Sequence, residues 1–342
     1  MTGGRLELLV LVAGLGLAAA LANATLGAYE LTLIGFAGIN VMLAVSLSFS
    51  NGLTGLFSLG HPAFMMIGGY IAAVLTYPAN RKAFMLPDLP PWLAGAEWGL
   101  LPATIAGAAG AAAVAVVVGF PVLRLRGHYL AVATLGLIII VRVLINNADG
   151  LTRGALGLSG IPRLSGVWSI YAGVVVTLVA CWRLKHSSVG RSLMAVRDNE
   201  LAAASIGIRL AASRLAAFAL GAACAGAAGA LWAHLVGNLT PASFGIPLAF
   251  TLVAMVVLGG TGSLTGAVIA ALALSLLTDA LRPLEQAAGL YGLTQIIVAL
   301  LLIGSMILRP AGLFGGREPR FGRKRPAPFR TEPSNEREEA IR

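Results

Sequence analysis

Side chains able to do chemistry are few in this chain, and they are clustered. The run "GRSLMAVRDNELAAASIGIRLAASR" (Gly190–Arg214) sets arginines, Asp198 and Glu200 between two long apolar stretches. The run "NGLTGLFSLGH" (Asn51–His61) is a polar, glycine-rich break, and "LGGTGSLTG" (Leu258–Gly266) has the look of a phosphate-cradling loop. Such a loop needs a Gly-Lys-Ser/Thr sequence, whose amides and lysine hold the phosphates. The lysines here, Lys82, Lys185 and Lys324, never follow a glycine, so P-loop ATP hydrolysis is excluded and a tight turn is the better reading. Apart from arginines at span edges, the charged residues inside apolar stretches are Glu30 and Asp279, near their ends, and Arg142. That is thin for a proton- or sodium-coupled carrier, and thinner for acid–base catalysis. Cys181 and Cys224 fall inside apolar runs and read as small core residues, with no disulfide, metal site or cofactor implied.

Two sets of polar residues are candidates for lining a path. Asn51, Gly55 and His61 belong to the first break, where irregular backbone is tolerated if it faces protein or a water-filled cavity. His61 taken singly is expected to satisfy a backbone carbonyl. Thr134, Arg142 and Asn146 share one apolar stretch, but Ile138 occupies the position that would join Thr134 to Arg142 at helical spacing, so they form no single stripe. Arg142 is costly in lipid and is expected to be paired inside the bundle.

The elements that must hold these residues follow from composition. The chain is 58% hydrophobic and only 11% charged, against roughly 25% charged in soluble domains. Apolar runs of about 20 residues imply helices that cross a bilayer, since a chain in lipid must satisfy its own backbone hydrogen bonds. The expected class is an all-α, polytopic transmembrane bundle of eight to ten spans, near 6–26, 29–50, 62–77, 100–119, 127–146, 167–183, 213–236, 244–258, 263–281 and 290–309. The first run is too long for a convincing signal peptide and reads as a retained span. Glycine- and alanine-dense stretches such as "GAACAGAAGA" (Gly221–Ala230) predict closely approaching helix backbones.

Charge sets the orientation. With both termini cytoplasmic, the inner segments carry Arg124, Arg183, Lys185, Arg191, Arg197, Arg209 and Arg214, together with a basic tail. The outer segments carry Arg81, Lys82, Arg153, Arg163 and Arg282. The positive-inside rule therefore puts the Gly190–Arg214 run in the cytoplasm. The net charge of +10 is explained by this topology, and nucleic acid is not an expected partner. The expected divisions are a first helix (1–28), a core (29–315) with a cytoplasmic loop near 186–212, and a disordered cytoplasmic tail (316–342) whose basic half lies close to membrane lipid.

A transporter without a motor of its own must borrow one, and the cytoplasmic run is suited to docking: Leu201, Ile206, Ile208 and Leu210 are apolar beside charged Arg197, Asp198, Glu200 and Arg209. This segment resembles the cytoplasmic coupling loop of ABC importer permeases, whose Ala-Ala-x-x-x-Gly core appears as Ala202, Ala203 and Gly207. Leu201 stands where the general motif has an acid, and Glu200 comes one residue earlier. The full run looks like the version found in permeases of branched-chain amino acid ABC importers, and further segments resemble that family in order. They are "NGLTGLFSLGHPAFMMIGGY" (Asn51–Tyr70), "RGHYLAVATLG" (Arg126–Gly136), "LTRGALGLSGIP" (Leu151–Pro162), "LGGTGSLTGAVIAA" (Leu258–Ala271) and "ILRPAGLFG" (Ile307–Gly315). The last elements and "GLSGIP" favour the LivM-type over its LivH-type partner. A departure is Arg153, Ala155 and Leu156, where a Gly-Pro-Asn-like sequence is expected.

The resemblance implies a non-catalytic inner-membrane permease for branched-chain or related amino acids. It implies a second permease subunit, two cytoplasmic P-loop ATPase subunits docked on Arg197, Asp198, Glu200, Ala202, Ala203 and Gly207, and an extracytoplasmic solute-binding protein. Relatives for urea, amides or other small polar solutes leave the cargo open, and a self-contained secondary carrier is the alternative from another class.

Overall fold

The computed structural model describes residues 2–125, 127–289, 292–309 and 312–314. The chain begins with α1 (Thr2–Thr25), α2 (Ala28–Thr54) and α3 (His61–Thr76), then two short helices, α4 (Ala79–Met85) and α5 (Pro91–Ala94). Next come α6 (Leu100–Val122), α7 (His128–Asn146), the single turn α8 (Asp149–Thr152) and α9 (Val167–Lys185). The charged run folds as α10 (Ser188–Asp198) and α11 (Glu200–Ser205). The closing helices are α12 (Leu210–Val236), α13 (Ile246–Gly259), α14 (Leu264–Ala288) and α15 (Leu293–Leu308). The strands among the described residues are β1 (Leu158–Ser159) and β2 (Asn238–Leu239), paired antiparallel with Leu158 opposite Leu239.

Each expected span has a helix at its place. Among the described residues, eight helices are long and apolar enough to cross a membrane, α13 only when joined to the helical turn Pro241–Phe244 that precedes it. Two others, α3 and α15, have 16 residues each and fall short of that length. The chain bends by 117° between α3 and α4, so these two make at most one broken span. The protein is a polytopic helical bundle.

The centre is built by α2, α3 and α12. Helix α12 packs on α2, α3 and α6, while α9 and α14 flank α2. Close approach needs small residues: a Cβ on Gly68 would run into the Gly226 backbone, and one on Gly107 would lie 2.6 Å from the Gly68 carbonyl oxygen. The expected closeness along Gly221–Ala230 is thus realised as a three-helix seam between α3, α6 and α12. Several buried polar groups inside the bundle are paired with a neighbouring element. His234 Nε2 and Thr76 Oγ1 are 2.8 Å apart, and Tyr77 Oη donates to the Ser159 carbonyl at 2.5 Å.

The bundle has two distinct ends. At one, α2 ends, α3 begins, α9 leads into α10, and α13 turns into α14. Phe314 N donates to the Gly259 carbonyl at 3.4 Å, so the last described residues lie at this end, as does the start of α1. At the other end lie α4, α5, α8 and the β1–β2 pair, which Tyr70 Oη reaches by donating to the Leu239 carbonyl at 3.2 Å. The proposed tail (316–342) lies outside the described residues.

Candidate functional site

The charged run is not one helix but two, broken at Asn199. Ser187 caps α10 by accepting from Gly190 N at 3.3 Å, and the Asn199 side chain accepts from Ala202 N at 3.0 Å to start α11. Asn199 takes extended backbone angles (φ −157°, ψ 109°), which a capping residue requires and a continuous helix forbids. The exit is equally defined. Gly207 has φ +83°, Gly207 N donates to the Ala204 carbonyl, and Ile208 N donates to the Ala203 carbonyl at 3.1 Å. This is a Schellman-type C-cap, and it gives the Ala-Ala-x-x-x-Gly core a structural meaning. Ala203 is buried against the bundle and Gly207 supplies the left-handed turn.

The buried face differs from the one expected. The apolar side that anchors the segment belongs to α10, through Leu193 and Val196, with Gly190 allowing close contact with the end of α9. Leu201 and Ile206 point outward instead, 84% and 74% exposed. The six-residue α11 has only Ala203 buried, because its cap sequence sets its register and leaves the two larger side chains on the open face.

Three cationic side chains hold the segment to the bundle. Arg197 Nη1 donates to the Gly52 carbonyl at 2.9 Å, and its Nη2 pairs with Asp198 Oδ1 at 3.0 Å. Lys185 Nζ donates to the Gly262 carbonyl at 2.7 Å. Arg214 forms an ion pair with Glu200. The two carbonyls used by Arg197 and Lys185 meet each other: a Cβ on Gly52 would strike the Gly262 backbone, and Ser48 Oγ donates to the Ser263 carbonyl at 3.3 Å. One joint therefore gathers α10, the end of α2 and the α13–α14 turn. The "GGTGS" element is part of that joint. Lys185 had registered in the sequence only as a charge that orients the chain; no local signal marks its reach to Gly262, 77 residues away.

A cavity of about 370 Å³ opens beside this joint. Asn51, Gly55, Phe57 and Arg197 line it, with Val253 and Thr261 across from them. Asn51 also braces the α2–α3 break, donating to the Ser58 carbonyl at 2.8 Å and accepting from Ser58 N at 3.3 Å.

The remaining candidate path residues do not converge on it. Thr134 is fully buried and accepts from Leu59 N at 2.9 Å, pinning the α2–α3 break to α7. His61 is buried, and neither ring nitrogen has a hydrogen-bond partner, contrary to the expected bond to a carbonyl. Pro62 follows it and α3 begins at His61, so its ring lies against Gly221 of α12 in a close-packed apolar setting. Arg142 is exposed on α7 and forms no ion pair among the described residues, contrary to the expected partner inside the bundle. Its neighbours Val143 and Leu144 are exposed too, so α7 turns this face outward from the single chain. Asn146 ends α7, roughly 18 Å along the helix from Thr134 at 1.5 Å per residue, and its amide oxygen is buried without a partner.

A second cavity, of about 290 Å³, lies between α2, α12, α13 and α14 toward the other end. Its polar wall includes Asn40, Ser275, Asp279 and Arg282, and its apolar wall includes Phe36, Trp232 and Phe244. Sequence reading had noted Asp279 only as a span-end acid and Arg282 only as an outer-loop charge. Among the described residues no group of three or more His, Cys, Asp or Glu side chains is arranged to hold a metal ion, and both cysteines are free thiols.

Known proteins match this arrangement along most of its length. The family model described as "Branched-chain amino acid transport system / permease component" matches residues 29–308. The chain is 32% identical to the high-affinity branched-chain amino acid transport system permease protein LivM of Escherichia coli K12, covering 83% of this chain and 69% of that protein. Identity to LivM of Salmonella typhimurium is 31% over the same shares. A shorter match, 33% identical over 32% of this chain and 34% of the relative, is to the autoinducer 2 import system permease protein LsrC of Escherichia coli O9:H4. No solved structure matches it. With a family model spanning most of its length and a helical bundle of the expected kind beneath it, this chain belongs to the branched-chain amino acid transport system permease family.

Proposed function

We propose that this chain is the membrane-spanning permease subunit of an ABC importer that carries branched-chain or related amino acids inward, driven by separate ATPase subunits. The observation that carries the reading is the α10–α11 surface. It is fixed to the bundle by Arg197 and by the Glu200–Arg214 ion pair, beside an α9 end that Lys185 ties to the α13–α14 turn, yet it leaves Leu201 and Ile206 exposed. A solvated loop has no reason to be bolted to a main-chain carbonyl of the bundle. A lever for a docking partner needs both the bolt and an apolar contact face. In this reading Arg197, Asp198, Glu200, Ala202, Ala203 and Gly207 form the coupling element, and ATP-driven closure of the ATPase pair reaches α2 and the α13–α14 turn through the joint.

The remaining parts follow. The basic segments on the α10 side support a cytoplasmic setting for that side, and with it for both chain termini, in a cell with an inner membrane. A second permease subunit completes the path, and an extracytoplasmic binding protein delivers the solute to the β1–β2 end. Asn51 and Gly55, which line the cavity at the joint, form the inner end of the path. His61, Thr134, Arg142 and Asn146 belong to the path only where the second subunit closes against α7.

Replacing Leu201 and Ile206 together by Asp tests the reading. Both side chains are exposed, so the variant inserts and melts as the parent does, while the cognate ATPase no longer co-purifies and uptake is lost. Co-purification and uptake at parental levels would overturn the docking surface. The LsrC match shows that a sequence relative is named for a different cargo, so binding of candidate amino acids by the cognate binding protein is the measurement that fixes the substrate.

A further inference from the structure

The cavity between α2 and α14 gathers its charged side chains on α14 and its aromatic ones opposite, with Ser243 and Thr251 among the latter. On one side Asn40 Nδ2 donates to Ser275 Oγ at 2.9 Å, joining α2 and α14 across 235 residues of sequence. One to two turns farther along α14 stand Thr278, Asp279 and Arg282. Facing them are Phe36 and Ile39 of α2, Trp232 of α12, Phe244 and Met255. Trp232 and Phe244 stack edge to face with centroids 5.1 Å apart, giving a firm aromatic wall.

The charges in this cavity are only loosely satisfied. Arg282 Nε and Asp279 Oδ1 are 3.7 Å apart, well beyond the ~2.7–2.9 Å of a charge-assisted hydrogen bond. No other described residue donates a hydrogen bond to the Asp279 carboxylate. Asp279 lies 16 residues past Ser263, roughly 24 Å along the helix from the joint, and its side chain is only 16% exposed. Asp279 is thus a sheltered acid in an apolar helix, costly unless it serves a function, while the Arg282 side chain beside it is 52% exposed.

We propose that this cavity holds one zwitterionic amino acid, with its ammonium at Asp279, its carboxylate at Arg282 and its aliphatic side chain against the Trp232–Phe244 wall. The proposal rests on the amino-acid importer reading and names where in this chain the cargo is held. The charges select the ligand. A metal cation would have one carboxylate and an adjacent guanidinium to repel it. A simple anion would meet Asp279, and a simple amine would meet Arg282. A zwitterion satisfies both and turns one poor ion pair into two good ones. The volume, about 290 Å³, lies at the lower end of small-molecule sites, which run from roughly 300 Å³ upward. The occupant would touch α2, α12, α13 and α14 at once, and α2, α13 and α14 are the elements gathered at the α10 joint.

The test uses the assembled transporter in lipid bilayers, with Cys181 and Cys224 replaced by Ala and Thr278→Cys as the reporter. Alkylation of that cysteine by a small maleimide is timed with L-leucine, with isoamylamine as the cation alone, and with isovalerate as the anion alone. Leucine slows the reaction about tenfold, while each single-charge analogue leaves it within about twofold. Asp279→Asn and, separately, Arg282→Gln remove the protection by leucine while keeping the unprotected rate, which reports an intact fold. Equal protection by an analogue overturns the zwitterion assignment. No protection by any of the three, in a transporter that still imports leucine, overturns the site and leaves the importer reading standing. Protection by leucine in a transporter that imports no amino acid sinks the importer reading and leaves the site.

Discussion

At the α10 end of the bundle, two cations each reach a main-chain carbonyl: Arg197 that of Gly52, while also pairing with Asp198, and Lys185 that of Gly262. Near the other end, Asp279 and Arg282 stand 3.7 Å apart. The first arrangement is a joint and the second is a loose ion pair at the wall of a cavity. A guanidinium bonded to backbone reports where an element is, whatever side chains surround it. A loose acid–base pair reports nothing about position and remains open to a ligand. The contrast separates side chains fixed to backbone from a pair left loose, and it does so within a single α14 helix that begins at one and passes the other.

The strongest way to break this comparison is to wedge the joint. Gly52→Leu drives a side chain into the Gly262 backbone and should cost about 3 kcal/mol, read as a lower melting temperature of the purified protein. A parental melting temperature would mean that the joint is slack. Arg197→Ala comes next, at about 2 kcal/mol for the lost charged hydrogen bond, with a larger fall in uptake than in stability. Combining it with Lys185→Met sharpens the point. Two bolts in one joint should couple, departing from additivity by about 1 kcal/mol, whereas independent surface contacts would simply add. Tyr77→Phe, which removes a hydroxyl donating to Ser159 near the far end, should cost about 1 kcal/mol and leave ATPase association untouched in a pull-down. The smallest effect belongs to Asp279→Asn, within about 0.5 kcal/mol by the same melting assay, because a long, partly open ion pair contributes little. A large loss there would mark a structural ion pair and erase the contrast between the two ends.

Much of the bundle was legible in the chain because lipid leaves a helix few options. Runs of apolar residues ended by glycine or proline located every long helix, and the density of small residues along Gly221–Ala230 announced the seam with α3 and α6. The Gly190–Arg214 run was legible as a charged segment between two spans, but its buried face was misplaced. Leu201 and Ile206 look like anchors by hydrophobicity, and only the Asn199 cap, which resets the helix, turns them outward. Lys82 read as a charge in an outer loop, yet it is fully buried with Nζ donating to the Leu93 carbonyl at 3.1 Å. Arg142 read as a paired bundle residue, yet it faces out. The Asn40–Ser275 contact and the cavity around it had no local signature at all, because their parts lie hundreds of residues apart and meet only after α2 and α14 pack.

The seam where α3, α6 and α12 meet has a consequence for how such a chain can change over time. Gly68, Gly107 and Gly226 face one another backbone to backbone. Crowding elsewhere in a core can be relieved by trimming a neighbour, but a side chain at Gly68 or Gly107 would meet the backbone of another glycine, which has nothing left to trim. At Gly68 and Gly107 the seam is closed to any larger residue unless whole helices move apart.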